Sequence, residues 1–341
     1  MSDAPRFLFS TSPDSYRDAV AELKALYPTA RAVRIGDDVG QLTCEALTLE
    51  RLAQACLAGP AVFVRHLTEV CGTIPLEDVE TGLPLLGSAA QALVETWPGA
   101  APIALQVWSA QGAPGRLQAR VEAALRERLS ATGREVKRAG RAKTLHVCIA
   151  RRGLILAQAS TADALADWPG GRVRLRAAPD QASRSGLKLE EAISVFGLDL
   201  PGGVAVDLGA SPGGWSQVLA QRGFTVHAVD PADLAPAVLA QPKLEHHKMT
   251  AGRFLAQARV RADLVVNDMR MDPLMSCEVM LQAVGVLKPG GLAVVTLKLP
   301  ENHPAPVAVQ ALGRLKRAYQ ILGARQLYHN RREATVALRL K

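Results

Sequence analysis

The stretch Val204-Ala-Val-Asp-Leu-Gly-Ala-Ser-Pro-Gly-Gly-Trp-Ser-Gln-Val-Leu-Ala-Gln-Arg-Gly223 carries the residue types of a nucleotide-type binding turn. An apolar run ending at Leu208 suits a buried parallel strand. Gly209, Gly213 and Gly214 follow, where the lack of a Cβ lets a ligand approach the backbone. A helix then runs to Gly223, and its first turn offers free N–H groups to the anionic part of a ligand. The glycine order is not G-x-G-x-x-G, and no Gly-Lys-Ser/Thr follows as in a P-loop.

The segment Asp207-Leu-Gly-Ala-Ser-Pro-Gly-Gly-Trp-Ser-Gln217 resembles motif I of the FtsJ-like ribose 2′-O-methyltransferases. The resemblance implies S-adenosylmethionine as cofactor, held by Asp207, Gly209, Ser211, Pro212, Gly213, Gly214 and Trp215, with Asp268 beside it. Asp230 lies sixteen residues after Gly214, where the next strand ends. A carboxylate there can accept hydrogen bonds from the two ribose hydroxyls of the donor, or it can cap a helix. The family usually ends its third strand on an acidic residue beside the adenine. Here the text is His247-Lys-Met-Thr250, so no adenine contact is assigned.

The same family uses a Lys-Asp-Lys-Glu tetrad, and four residues match it in order and context. They are Lys188 in Leu-Lys-Leu-Glu-Glu, Asp268 in Val-Val-Asn-Asp-Met, Lys298 in Thr-Leu-Lys-Leu-Pro and Glu333 in Arg-Arg-Glu-Ala. Taken singly, Lys188 could pair with Glu190 or Glu191 on its own helix, and Glu333 with Arg331. A ribose hydroxyl is a poor nucleophile, and an exposed lysine with a pKa of about 10.4 is a poor base. Partial burial and a second cation nearby push such a pKa down towards the working pH. The resemblance implies Lys298 as the deprotonating residue, with Asp268 and Glu333 orienting it and Lys188 positioning the hydroxyl. Within the family, Ser-Arg-Ser-Gly-Leu-Lys-Leu-Glu-Glu-Ala, Leu-Lys-Leu-Pro and Ala-Arg-Gln-Leu-Tyr-His-Asn-Arg-Arg-Glu are similar to the RlmM-type group. That likeness covers about residue 183 to the end and implies a cytidine of bacterial 23S rRNA as target. Tyr328 and His329 could meet a base of single-stranded RNA, or Tyr328 could be core.

These residues need a scaffold. From 183 onwards, apolar strands are expected at 204–208, 225–229, 262–266, 291–297 and 334–340. Helices are expected from about 185 and at 215–221, 274–287 and 307–322. The alternation predicts a doubly wound, mostly parallel α/β sheet, Rossmann-like by the resemblance, over 183–341. Upstream, residues 1–80 give strands at 6–10, 32–35 and 61–68 and helices at 15–26 and 49–57, the pattern of a small α+β module. Residues 81–162 give a helix at 88–95, a strand at 103–108, a basic helix at 116–129 and a strand pair at 144–149 and 154–157 around Arg151-Arg152-Gly153. That order is similar to a THUMP domain, an RNA-binding module. Residues 163–182 read as a linker, in which Arg172, Arg174 and Arg176 form a phosphate track or merely an exposed edge.

The formal net charge is +8, and the segment from Arg116 to Arg152, with 11 Lys/Arg against 3 Glu, holds all of the excess. A polyanionic partner is expected, namely 23S rRNA or its precursor, although a coding bias towards arginine would look similar. Arg134, Lys137, Arg138, Arg141, Lys143, Arg151, Arg152 and Arg184 are the candidate RNA contacts. No apolar run approaches a membrane span and no signal-peptide pattern opens the sequence. The five cysteines are widely spaced without C-x-x-C, as for reduced thiols of a cytoplasmic protein. No metal site is expected, because the adjacent His246 and His247 point to opposite faces of a strand. Asn267-Asp-Met-Arg270 is not the Asn/Asp-Pro-Pro-Tyr/Phe of base methylases. The rival readings are a methyltransferase for another substrate and a non-catalytic RNA-binding or assembly factor.

Overall fold

The computed structural model describes residues 4–75, 79–99, 101–114, 116–138, 143–176 and 181–341. Close contacts divide the chain into two units, Met1–Val173 and Arg174–Lys341.

The first unit opens with β1 (Arg6–Ser10), α1 (Tyr16–Leu26), β2 (Arg31–Gly36), β3 (Val39–Thr43), α2 (Leu49–Ala58) and β4 (His66–Pro75). It continues with α3 (Val79–Glu95), β5 (Ile103–Ser109), α4 (Leu117–Ser130), β6 (Val136–Lys137), β7 (Lys143–Ile149) and β8 (Gly153–Ser160). All eight strands make one sheet in the order β2-β3-β1-β4-β8-β7-β5-β6. The division expected at residue 80 therefore separates no sheets: β4 pairs antiparallel with β8, from Glu69↔Gln158 to Pro75↔Gly153. The head of the expected linker also belongs here, since Val173 is buried and Ser10 Oγ donates to the Gly170 carbonyl at 2.7 Å. The apolar stripe of α4 behaves as its spacing predicts: Val121, Leu125 and Leu129 are buried against Leu86, Val94 and the β5–β7–β8 face. The strand expected at 61–68 begins only at His66. Before it, the amides of Val62 and Phe63 donate to the Glu22 carboxylate, both at 2.9 Å, so a side chain replaces the ladder.

The second unit consists of α5 (Gly186–Phe196), β9 (Gly203–Leu208), α6 (Gly214–Gln221), β10 (Phe224–Val229), α7 (Pro236–Leu239), β11 (Leu244–His247), α8 (Ala251–Gln257) and β12 (Ala262–Asn267), then α9 (Pro273–Gln282), β13 (Leu287–Lys298), α10 (Pro304–Leu315), β14 (Tyr319–Arg325) and β15 (Glu333–Leu340). Its strand order is β11-β10-β9-β12-β13-β15-β14. The neighbours from β11 to β13 run parallel, and β15 is antiparallel to both β13 and β14. The sheet is thus mostly parallel, as expected. The helix expected at 307–322 stops at Leu315, and Tyr319–Arg325 is an edge strand instead. The chain winds outward from β9 to β11 and then returns to β12 on the other side of β9. That reversal opens a crevice beyond the carboxyl ends of β9 and β12, the usual ligand position in such sheets.

Candidate active site

Everything that lines the crevice follows from where strands end. Asp207 is next to last in β9, Asp268 follows the last residue of β12, and Lys298 closes β13. Glu333 opens β15 directly across the ladder from Lys298. Lys188 lies in the first turn of α5. These five residues are far apart along the chain and are brought together by topology alone.

The tetrad closes into a ring. Lys298 Nζ donates to Asp268 Oδ1 at 2.5 Å and to Glu333 Oε1 at 3.0 Å. Lys188 Nζ lies 3.5 Å from Asp268 Oδ2 and 2.6 Å from Glu333 Oε2. Each carboxylate therefore bridges both ammonium groups, one oxygen to each. The four side chains are 15–18% exposed, so the ring is largely shielded from solvent without being sealed from it. The alternatives open from sequence are resolved. Glu191 is buried and turned to the loop after β14, accepting from the amides of Tyr328 (2.6 Å) and His329 (2.8 Å) and from His329 Nδ1 (2.7 Å). Glu333 pairs with the two lysines rather than with Arg331.

Electrostatics sets the protonation states. Burial lowers the Lys188 pKa, but Asp268 and Glu333 outweigh it and the net displacement is upward. The downward shift expected for a tetrad lysine is thus not found at Lys188, because two counter-charges surround it. Burial raises the Glu333 pKa, and Lys298 and Lys188 more than reverse that, so Glu333 stays ionised. Thr296, two residues before Lys298 on the same face of β13, was missed from the sequence. Its hydroxyl donates to Asp268 Oδ1 at 2.5 Å and accepts from Lys298 at 2.8 Å. Asn330 was missed as well; its Nδ2 reaches Glu333 Oε2 at 3.4 Å while its Oδ1 accepts from Leu327 N and Thr335. Period-two spacing from Lys298 could have flagged Thr296, whereas Asn330 leaves no such mark.

On the cofactor side, Asp230 follows β10 and each of its oxygens takes one backbone amide, from Ala232 at 2.8 Å and Ser211 at 3.1 Å. Each oxygen keeps a lone pair for a ligand hydroxyl, so the carboxylate fits a ribose diol. Asp207 is buried and holds the Ser216 hydroxyl at 2.6 Å, fastening α6 to β9. Burial, opposed by Ser216 and reinforced by the charges of Asp268 and Asp230, pushes its pKa up to about 7. Two expectations change here. Trp215 is core, with its indole N–H donating to the Ser185 carbonyl at 2.8 Å, so it anchors the lead-in to Lys188. The glycines make room for protein rather than for ligand alone. A Cβ on Gly209 (φ +78°) would run into Met269, one on Gly213 would meet Val238, and one on Gly214 would meet Ser183 and Ser185. Ser211 and Pro212 remain open to solvent at the loop tip, and Ser211 Oγ donates to the Asp233 carbonyl at 2.9 Å.

The basic candidates divide. Arg134 spends its guanidinium on the carbonyls of Ala101 and Val94, Lys137 pairs with Glu135, and Arg151 pairs with Asp37 while staying 58% exposed. Arg138, Lys143, Arg152 and Arg184 are exposed; Arg141 lies outside the described residues. Arg172 is held by Asp38 within the first unit, whereas Arg174 and Arg176 are exposed. Arg34, Arg151 and Arg152 line a hollow of about 440 Å³ in the first unit together with Asp37 and Thr73. Tyr328 is 37% exposed, its ring edge-on to His329. All five cysteines are free, and only Cys71 is exposed. Among the described residues no helix is long and apolar enough to cross a membrane.

The FtsJ-like methyltransferase family model matches residues 181–298, the stretch that holds the reversal point, Asp230 and three members of the lysine–carboxylate ring, so this part of the chain is a methyltransferase domain of the FtsJ-like class. S-adenosylmethionine is the donor of that class. The chain belongs to the ribosomal RNA large subunit methyltransferase M family: it is 30% identical to the member from Laribacter hongkongensis over 97% of this chain and 96% of that one. The member from Halorhodospira halophila is 40% identical over 50% of this chain and 51% of its own. Among solved structures, TrmN from Thermus thermophilus aligns over 98% of this chain and 100% of that one, at 19% identity and a TM-score of 0.41.

Proposed function

We propose that this protein methylates a ribose 2′-hydroxyl of large-subunit ribosomal RNA, on a cytidine of 23S rRNA or its precursor, in the cytoplasm. The closed Lys188–Asp268–Lys298–Glu333 ring carries the reading. A non-catalytic binding factor would have no use for four converging charges that sum to zero. The relatives' name supplies the substrate class.

S-adenosylmethionine, when bound, supplies an electrophilic methyl group on a sulfonium. Asp230, each of whose oxygens takes only one backbone amide, would hold the donor's ribose hydroxyls, and the loop Gly209–Gly214 would lie next to it. Lys188, kept cationic by its two carboxylates, donates to the acceptor hydroxyl and orients its oxygen. Lys298 enters the step as the neutral amine and takes the hydroxyl proton as the oxygen replaces the sulfonium sulfur on the methyl carbon. Asp268, Glu333 and Thr296 lie within hydrogen-bond reach of its Nζ, so the ammonium that results is stabilised by the groups around it. General-base action of this kind contributes about 10²–10⁴ in rate, and the rigid ring adds orientation. Arg138, Arg141, Lys143, Arg151, Arg152 and Arg184 supply phosphate contacts, with residues 81–162 acting as the THUMP-like RNA-binding part.

Single-turnover methyl transfer to in vitro 23S rRNA, read beside RNA affinity, tests the assignment. Lys298→Ala and Asp268→Ala should each remove transfer while RNA affinity stays within a few-fold. Near wild-type turnover in either variant would refute the assigned chemistry.

A further inference from the structure

We infer that His227, Glu245 and His247 form a zinc site on the outer edge of the second unit's sheet, independent of the proposed methyl transfer. His227 lies on β10 and faces Glu245 of β11 in the parallel register, and His247 is two residues beyond Glu245. Side chains two apart on a strand share a face, so all three project to one side. The adjacency of His246 and His247 argued against metal binding in the sequence. The fold removes that objection: His246 turns to the Asp230 carbonyl at 3.0 Å, and His247 finds its partner on the neighbouring strand.

The donor atoms are close enough to share one ion. His227 Nδ1 and His247 Nε2 are 2.9 Å apart, His227 Nδ1 lies 3.4 Å from Glu245 Oε2, and His247 Nε2 lies 3.7 Å from Glu245 Oε1. A tetrahedral zinc with bonds of about 2.0–2.1 Å sets its ligand atoms about 3.3 Å apart; the nitrogen–nitrogen distance and the two nitrogen–oxygen distances, which end on different oxygens of Glu245, fall on either side of that separation. Among the described residues this is the one such group whose ligand atoms all lie within 4.8 Å of one another. A simple imidazole–imidazole hydrogen bond accounts for the first distance but not for a carboxylate that faces both nitrogens, one oxygen to each.

The surroundings suit the ion. Phe254 of α8 stacks obliquely on both imidazoles, with centroids 6.4 Å and 4.8 Å away, and gives the site an apolar wall. Glu245 is 65% exposed, so the fourth position opens to water, the arrangement of a three-ligand zinc site. Two imidazoles and one carboxylate suit zinc better than the oxygen-seeking magnesium or calcium. The ion would clip the four-residue edge strand β11 to β10, the strand that leads into Asp230.

The experiment uses the full chain, free of any polyhistidine tag and stripped with chelator. Zinc uptake is read by calorimetry, Co²⁺ substitution by visible absorption, and thermal melting with and without zinc. The expected result is one zinc per chain and tetrahedral Co²⁺ bands without thiolate charge transfer. Zinc should also raise the melting temperature by a few degrees, about what tight one-site linkage gives. Stoichiometric uptake should be lost in His227→Ala and in His247→Ala, and weakened in Glu245→Gln, whose exposed side chain makes misfolding a poor explanation. No stoichiometric uptake by the wild type, equal uptake by the His227→Ala/His247→Ala double variant, or Co²⁺–thiolate bands from Cys71 would each overturn the site.

Discussion

Lys188 and Glu333 fix each other's charge at 2.6 Å, and this makes the ring's contribution to stability depend on pH at both ends. The Lys188 pKa is raised above its ordinary 10.5, so its contribution is complete below that value and is lost as pH rises through the higher folded value. The Glu333 pKa is lowered below 4.5, so its contribution is complete above 4.5 and is lost as pH falls through the lower folded value. Melting of the second unit should therefore show a plateau from this ring between those limits, with losses outside both. Glu333→Gln should abolish the acid-side loss from this residue and lower stability by about 1–3 kcal/mol, because both ammonium groups lose one of their two carboxylate partners in a largely buried ring. Equal acid sensitivity in the variant would show that the ring is not the source. The residue types of this ring were legible in the sequence through the family's order of motifs. Their supports were less so: Thr296 carries only its period-two spacing from Lys298, and the role of Asn330 appears only once β13 and β15 lie side by side.

At the scale of elements, the α1 residue Glu22 replaces a missing ladder by capping two amides before β4. Burial, opposed by those two hydrogen bonds, pushes its pKa up to about 8. An acid whose folded pKa is raised favours the folded state when protonated, so stability of the first unit should decline as pH rises from about 4.5 to about 8 and level off above. Glu22→Gln should flatten that slope in calorimetry across this range. Glu22→Ala, which strands two amides, should cost about 1–3 kcal/mol for each left unpaired. If the slope persists in the glutamine variant, Glu22 does not set it. The same place shows why sequence patterns mislocated β4: Ala61-Val-Phe-Val64 is apolar enough for a strand, yet its hydrogen bonds go to a carboxylate on a distant helix. The strands absent from the sequence reading, β3, β6, β11 and β14, share another cause. They are short or lie near a sheet edge, where alternation is brief, and β11 is Leu-Glu-His-His with a single apolar residue. The buried parallel strands β9, β10 and β12 were legible because both their faces are covered.

For the whole molecule, the local patterns set residues 183–341 apart from what precedes them but split the preceding part at residue 80, where the structure has a single sheet. Pairing of β4 with β8 joins segments far apart in the chain, and periodicity within a window records nothing of it. The charge asymmetry was legible, and it carries a solution prediction. Arg138→Ala with Lys143→Ala should weaken rRNA binding and flatten its salt dependence, by about 0.7–0.9 in log–log slope for each phosphate no longer neutralised. Arg134→Ala should instead reduce thermal stability with little change in slope, since its guanidinium is spent on backbone carbonyls. An unchanged slope in the double variant would remove that segment from the RNA surface.

Lys298 and Glu333 face each other because β13 and β15 run in opposite directions in one particular alignment. Sliding β15 by a single position would present Arg332 or Ala334 to Lys298 and turn Glu333 to the opposite side of the sheet. Ala334, Val336, Ala337 and Leu338 of β15 are all buried, which makes such a slide costly, so the packing of the last strand acts as the proofreader of the charged ring. One residue inserted between Glu333 and Ala334 should then give a protein that still folds, with the rest of the strand in register, yet presents the wrong side chain to Lys298 and is chemically mute.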